Sequence, residues 1–456
     1  MISTHALAQT SQPGAVSLSP TPPDLKSNVD PNIVVTFDDS GSMTWTHMGD
    51  DTPFSPGGSW SGPWRCAGVI DPRVDPDASG LSAQDQARTL TMNGVYYNPN
   101  ISYDPPLNKD GSSFPNADAS LGGVWLDGIA VNRPSGSVSA GSIALNNNPD
   151  TPANASASGR TNLVATSSSQ RWKCGYGSTS DDGWNSSSPM DGTTTNPGGS
   201  PAKYPQGGPF YYRFKSTVNF LNANGTLNTS TSGNGLYNSN NWEAIAVPST
   251  EYQNFANWYA YYRSRNLMVR TSISRVFGNL GSNLRVAWQD LNALQISSST
   301  IISTLTDTNT TGNSAANNYR TNFFDWIYSV PANNGTSSRT ATIRAGEFFK
   351  RSGSSITNPY WQPGIGTAPG RELSCRQNFH MLVTDGFWNS LSGSETISSP
   401  SQYTSRSSVT LPDGVSYSPS DPTSLIYTGP TDKNGSTTLS DIAFYYWSKD
   451  LRSTLT

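Results

Sequence analysis

Residues 32–43 read Asn32-Ile33-Val34-Val35-Thr36-Phe37-Asp38-Asp39-Ser40-Gly41-Ser42-Met43. The first six form a short apolar, β-branched run without alternation, the pattern of a strand buried on both faces of a parallel sheet. The run stops abruptly on two aspartates and a Ser-Gly-Ser turn. Asp38, Ser40 and Ser42 alternate, so their oxygens can converge on one side of a tight turn that Gly41 permits. One carboxylate and two hydroxyls make a hard, all-oxygen cluster, suited to Mg²⁺ or Mn²⁺ rather than zinc. The bland alternative for Asp38 and Ser40 is an Asx turn or a helix N-cap.

Working outward, Phe379-His380-Met381-Leu382-Val383 is a second continuous run, expected to be a fully buried strand that ends in Thr384-Asp385-Gly386. Between the two, Phe255, Trp258, Tyr262, Val269, Ile273 and Val276 fall on one face of an amphipathic helix, with Gly278 and Gly281 at its end. Leu284 to Trp288 reads as a strand, residues 318–329 as a helix, and Ser338 to about Lys350 as another. A last helix runs from Leu439 to Leu451, with Thr437 or Thr438 as its N-cap. Strands alternating with helices in this order predict an α/β fold around a mostly parallel sheet, with helices on both faces. Ligands of such sheets bind at the carboxyl ends of the strands. That rule brings Asp38 and Asp385 together. Thr336, in the Asn334-Gly335-Thr336 turn before a helix, offers oxygen from a third loop, with Thr310, Thr311, Thr340 and Thr342 near enough to compete.

The rest of the chain divides around this core. Residues 1–30 read as an extended Pro/Ser/Thr-rich lead-in, in which Ala6-Leu7-Ala8 resembles the end of a signal peptide as much as an ordinary polar N-terminus. Residues 44–250 read as a large irregular insertion, rich in Gly, Ser and Asn, with short hairpins at most. The α/β domain is then 31–43 plus 251–456. Aromatics recur through the insertion; they can form a small core or stack on sugar rings, and core is the better reading because they bury large areas. Only 13% of residues are charged, net charge is −4 and there is no basic run, which argues against a nucleic-acid partner. No stretch is long and apolar enough for a transmembrane helix. Cys66, Cys174 and Cys375 show no zinc spacing. In an oxidising compartment two can pair, with Cys66–Cys174 favoured because both lie in the insertion, though Cys375 could capture either. His5, His47 and His380 make no catalytic constellation, so no enzyme is expected; a secreted hydrolase is the remote alternative.

Asp38-x-Ser40-x-Ser42, a later threonine and the Thr384-Asp385-Gly386 loop together resemble the metal-ion-dependent adhesion site of von Willebrand factor A domains. The resemblance implies that Asp38, Ser40 and Ser42 hold the cation, with Thr336 and Asp385 bound directly or through water. One coordination position would stay open for a partner's carboxylate, and Asp39 would face solvent or lie in an outer shell. It also implies a sheet ordered 3-2-1-4-5-6. No buried apolar run follows Leu451, so the strand at 379–384 is expected to keep an open edge.

Further segments narrow the family. Asn93-Gly94-Val95-Tyr96-Tyr97-Asn98-Pro99 with Tyr103-Asp104-Pro105-Pro106, Asn254-Phe255-Ala256-Asn257-Trp258-Tyr259, Tyr262-Arg263-Ser264-Arg265, Cys375-Arg376-Gln377-Asn378-Phe379 and Leu439-Ser440-Asp441-Ile442-Ala443-Phe444-Tyr445-Tyr446 resemble stretches of PilY1 proteins. That family implies an exported adhesin and assembly factor of type IV pili, at the pilus tip or cell surface. Its partners would be minor pilins and a host or abiotic surface ligand. A purely structural cap of the minor-pilin complex is the alternative. The family's C-terminal β-propeller has no counterpart here, so the chain reads as an N-terminal portion of a longer protein.

Overall fold

The computed structural model describes residues 29–44, 94–133, 160–161, 210–235, 241–308, 312–364, 367–386, 395–418 and 437–455, apart from isolated positions and short gaps within those spans. The expectations placed on Ala6-Leu7-Ala8, His5, His47, Cys66, Cys174, Thr310 and Thr311 fall outside the described residues, as does most of the 44–250 stretch.

Four strands form the main sheet: β1 (Asn32–Phe37), β2 (Arg285–Asp290), β3 (Ser303–Thr304) and β4 (Asn378–Val383), in the order β4-β1-β2-β3. β1 runs parallel to both neighbours, with Phe37 opposite Val383 on one side and Asp290 on the other. β3 is antiparallel to β2. The chain is therefore mixed α/β with a partly parallel sheet. Period-two alternation splits β1 between two layers. Val35 and Phe37 face a cluster that includes residues of α1 (Tyr252–Tyr261), α2 (Arg265–Asn279) and α3 (Tyr319–Ser329). Val34 and Ala287 face Ala345 and Phe348 of α4 (Ser338–Phe348). Each such valine or phenylalanine fully buried contributes about 1.5–3 kcal/mol. This two-sided burial explains why β1 carries no polar alternation.

Thr36, Gln289 and His380 are satisfied on the α4 side. Gln289 Nε2 donates to Thr36 Oγ1 at 2.9 Å and to the Ala341 carbonyl at 2.8 Å, and His380 Nε2 lies 2.8 Å from Thr36 Oγ1. Burial pushes His380 down to about 4, so the imidazole is neutral at ordinary pH and belongs to a structural ladder. It is a half-buried histidine whose ring is engaged by Thr36.

Three expectations need correction. β4 is not buried on both faces: Phe379 is 48% exposed and Met381 39%. It is an edge strand, paired only with β1 among the described residues, and helices cover just one of its faces. The helix read through Phe255–Val276 is two helices. The chain leaves α1 at Tyr262, and Ser264, in an extended conformation, caps α2 by accepting the Leu267 amide. Val276 is 53% exposed, and Gly278 lies inside α2, where an added Cβ would come within 2.9 Å of Leu107. Helix α5 (Leu439–Trp447) stops short of Leu451. Its N-cap is Thr438, in a capping box with Asp441.

Aromatics from residues 94–133 belong to the core. Tyr97 packs against Tyr103, Phe255 and Trp258, and the Trp258 indole donates to the Val95 carbonyl at 3.0 Å.

Candidate metal centre

The site begins where β1 and β4 end side by side. The Asp38 amide donates to the Val383 carbonyl at 2.9 Å, which extends the parallel ladder by one residue past both strands. The Thr384 hydroxyl then donates to Asp38 Oδ2 at 2.6 Å, and the Ser40 amide to Asp38 Oδ1 at 2.8 Å. Gly41–Thr44 form a single 3-10 turn that folds Ser42 back, so that Ser40 Oγ and Ser42 Oγ stand 2.9 Å apart. Asp38 is fully buried and Ser42 half-buried, so the cluster reaches solvent on the Ser42 side. Burial raises the Asp38 carboxyl above the usual range; the hydrogen bonds from Ser40 and Thr384 oppose this, and the nearby Asp385 adds to it. The structure thus gathers carboxylate charge in a place short of water, the condition under which a cation is favoured.

A third loop is brought in by Asp39, which is fully buried rather than solvent-facing. Its carboxylate accepts from Ala293 N at 2.7 Å, Asn334 Nδ2 at 2.8 Å, Asn292 Nδ2 at 2.9 Å and Asn292 N at 3.3 Å. Its carbonyl accepts from the amides of Asn333 and Asn334, both at 3.0 Å, and Gly41 N donates to the Asn334 carbonyl at 2.9 Å. One aspartate therefore ties together the turn after β1, the turn after β2 and the loop that carries Thr336 into α4. Thr336 is itself buried. Of its described competitors, Thr340 donates to the Ser337 carbonyl and Glu395, and Thr342 to the Ser338 carbonyl, so both hydroxyls are engaged at the start of α4.

Asp385 is placed by a residue that periodicity gives no reason to select. Arg265, the first residue of α2, sets Nη1 2.6 Å from Asp385 Oδ2, with the two side chains 1% and 3% exposed. The partners are 120 residues apart, which explains why no local pattern reveals them.

Chemically, the arrangement offers two carboxylates and several hydroxyls. Among the described residues, no three His, Cys, Asp or Glu side chains gather in a way that could hold a metal. Any cation here depends on hydroxyl oxygen as much as on charge, which suits a hard ion that keeps part of its water shell. Cys375 is an exposed free thiol. No helix among the described residues is long and apolar enough to cross a membrane.

Comparison with known proteins finds no matching family model and no matching solved structure. The chain is similar to the type IV pilus biogenesis factor PilY1 of Pseudomonas aeruginosa in three strains. Against that of strain PAO1 it is 28% identical over 456 residues, which take in 98% of this chain and 30% of the relative. Against that of strain PAK identity is 30%, again over 98% of this chain and 30% of the relative, and against that of strain UCBPP-PA14 it is 26%. The chain thus spans less than a third of the length of these relatives, while they match nearly all of it.

Proposed function

The chain belongs to the PilY1 family, and from that premise we propose that it forms the cation-dependent adhesion portion of an exported type IV pilus-associated protein. The observation that carries this reading is the convergence of Asp38, the Ser40–Ser42 hydroxyl pair and Asp385 at the carboxyl ends of β1 and β4. Strand order supports it. Read from β3, the sheet runs 3-2-1-4, which is how a von Willebrand A sheet begins. The proposed domain is 31–43 plus 251–456, with 44–250 as its insertion.

Asp38, Ser40 and Ser42 would hold Mg²⁺ or Mn²⁺, with Thr336 and Asp385 contributing directly or through water. The bound ion would supply a Lewis-acidic position for a carboxylate on a host or abiotic surface. The chain's own part is to orient its oxygens: Thr384 and the Ser40 amide fix the Asp38 carboxylate, and Asp39 fixes the Thr336 loop. Minor pilins at the pilus tip are the proposed assembly partners, since the relatives are named as biogenesis factors of that structure.

Calorimetric titration of the 456-residue chain with MnCl₂ and MgCl₂ tests the reading. Wild type is expected to bind one divalent ion, and Asp38→Ala to lose it while keeping its circular dichroism spectrum. Absence of binding to wild type at millimolar metal would refute the proposal.

A further inference from the structure

We infer that Arg265 is a fixed counter-ion of this centre, one that leaves the cation-loaded site net positive and therefore able to hold an anionic ligand. The inference rests on the cation reading above. Arg265 opens α2, and Ser264 before it caps that helix, so its backbone is set by regular structure rather than by a free loop. The same helix packs against the Gly41–Thr44 turn, which carries Ser42. The Arg265 guanidinium engages Oδ2 of Asp385.

Charge arithmetic gives the pair its meaning. Setting aside Asp39, whose carboxylate is taken up by four hydrogen-bond donors, Asp38 and Asp385 carry two negative charges and Arg265 one positive charge, so these three groups sum to −1. A divalent ion brings the sum to +1, and a ligand carboxylate then closes it to zero. Without Arg265 the ion alone would reach zero, and the ligand would add an unbalanced negative charge to a place with little water. Buried groups tolerate an uncompensated charge poorly. Arginine suits the post because it stays protonated at every accessible pH and is weakly hydrated. A purely structural ion pair, anchoring α2 to the end of β4, predicts none of the charge effects that follow.

The test uses the full chain with Mn²⁺ and acetate as probes, read by calorimetry and Mn²⁺ electron paramagnetic resonance. Removing one nearby positive charge in Arg265→Gln is expected to tighten Mn²⁺ about tenfold and to weaken acetate binding to the Mn²⁺-loaded protein about tenfold. Arg265→Lys keeps the charge and is expected to change either affinity by no more than about twofold. A folded Arg265→Gln protein that binds Mn²⁺ with unchanged or lower affinity overturns the inference. Should Arg265→Gln fail to fold, wild type labelled with ¹⁵N-arginine takes its place. The guanidinium resonance that disappears in Arg265→Lys must then shift during a Mg²⁺ titration, with the calorimetric midpoint, and a resonance that Mg²⁺ leaves unmoved overturns the inference. Wild type that binds no Mn²⁺ sinks the cation reading itself, a failure separate from an Arg265→Gln protein that binds without tightening.

Discussion

Replacing Asp39 by alanine perturbs the site's framework without touching any residue proposed to hold the ion. The carboxylate accepts four hydrogen bonds, two from the amides of Asn292 and Ala293 and two from the side-chain amides of Asn292 and Asn334. Hydrogen bonds to a charged group contribute about 1.5–3 kcal/mol each, but they share one acceptor and do not add. The donor at 3.3 Å is weak, and some of the freed donors lie in turns that water can reach. The loss is therefore expected at about 3–4 kcal/mol, near the upper limit for a single substitution. Asp39→Asn retains one oxygen but turns an NH₂ group toward donors, and should lose about 2 kcal/mol. Urea unfolding gives the totals, and native-state hydrogen exchange at 333–337 gives the local part. A loss below about 0.5 kcal/mol for Asp39→Ala, with those amides still protected, would mean that the Thr336 loop is held by packing alone.

Two further outcomes follow from the sheet. Burial pushes the Asp290 carboxyl up to about 7, with the Trp326 indole hydrogen bond opposing and the Asp39 charge adding to the rise. Because the folded value lies above the unfolded one, the native state holds the extra proton between about pH 4 and pH 7, so this group's contribution is full below that window and lost as pH rises through it, by about 4 kcal/mol at most. Asp290→Asn should flatten that fall relative to wild type in unfolding curves at pH 4.5 and 8, and parallel curves would show that Asp290 is ionised throughout. For this edge, amides of 379–383 should exchange faster than those of 33–37, because β4 pairs with β1 alone among the described residues and exposes Phe379 and Met381. Equal protection would mean that another part of the chain covers the edge.

What the sequence revealed and what it hid divide along a physical line. β1 and its turn were legible because their determinants are local: an unbroken β-branched run requires cover on both faces, and alternating oxygens after it lie on one side of a turn. The same rule misled at 378–383. An apolar run specifies a strand, but whether helices lie over each face depends on elements elsewhere: Phe379 and Met381 share the sheet face of Val35, yet lie beyond the cover of the described helices there. The break between α1 and α2 was hidden because Tyr262 fits the apolar period of either one helix or two. Ser264, a strong N-cap residue before Arg265, was the available signal.

Asp39 and Arg265 escaped for a different reason, and it bears on how the site works. Both act through partners far along the chain, Asn292 and Asn334 for one and Asp385 for the other. No helical or strand period connects such pairs: the parallel register of β1 with β2 and β4 brings the strand ends together, and Arg265 arrives from the start of α2. That register ends all three strands at the same level, so their loops leave the sheet side by side. Polar side chains at those ends must then satisfy one another or face burial unpaired. Asp39 is fully occupied in this way, with four donors on its carboxylate. Asp38, among the described residues, is held by Ser40 and Thr384 alone, beside a second carboxylate that already answers to an arginine. Of two adjacent aspartates, the second is therefore the one that builds the loops, and the first is the one proposed to hold a cation.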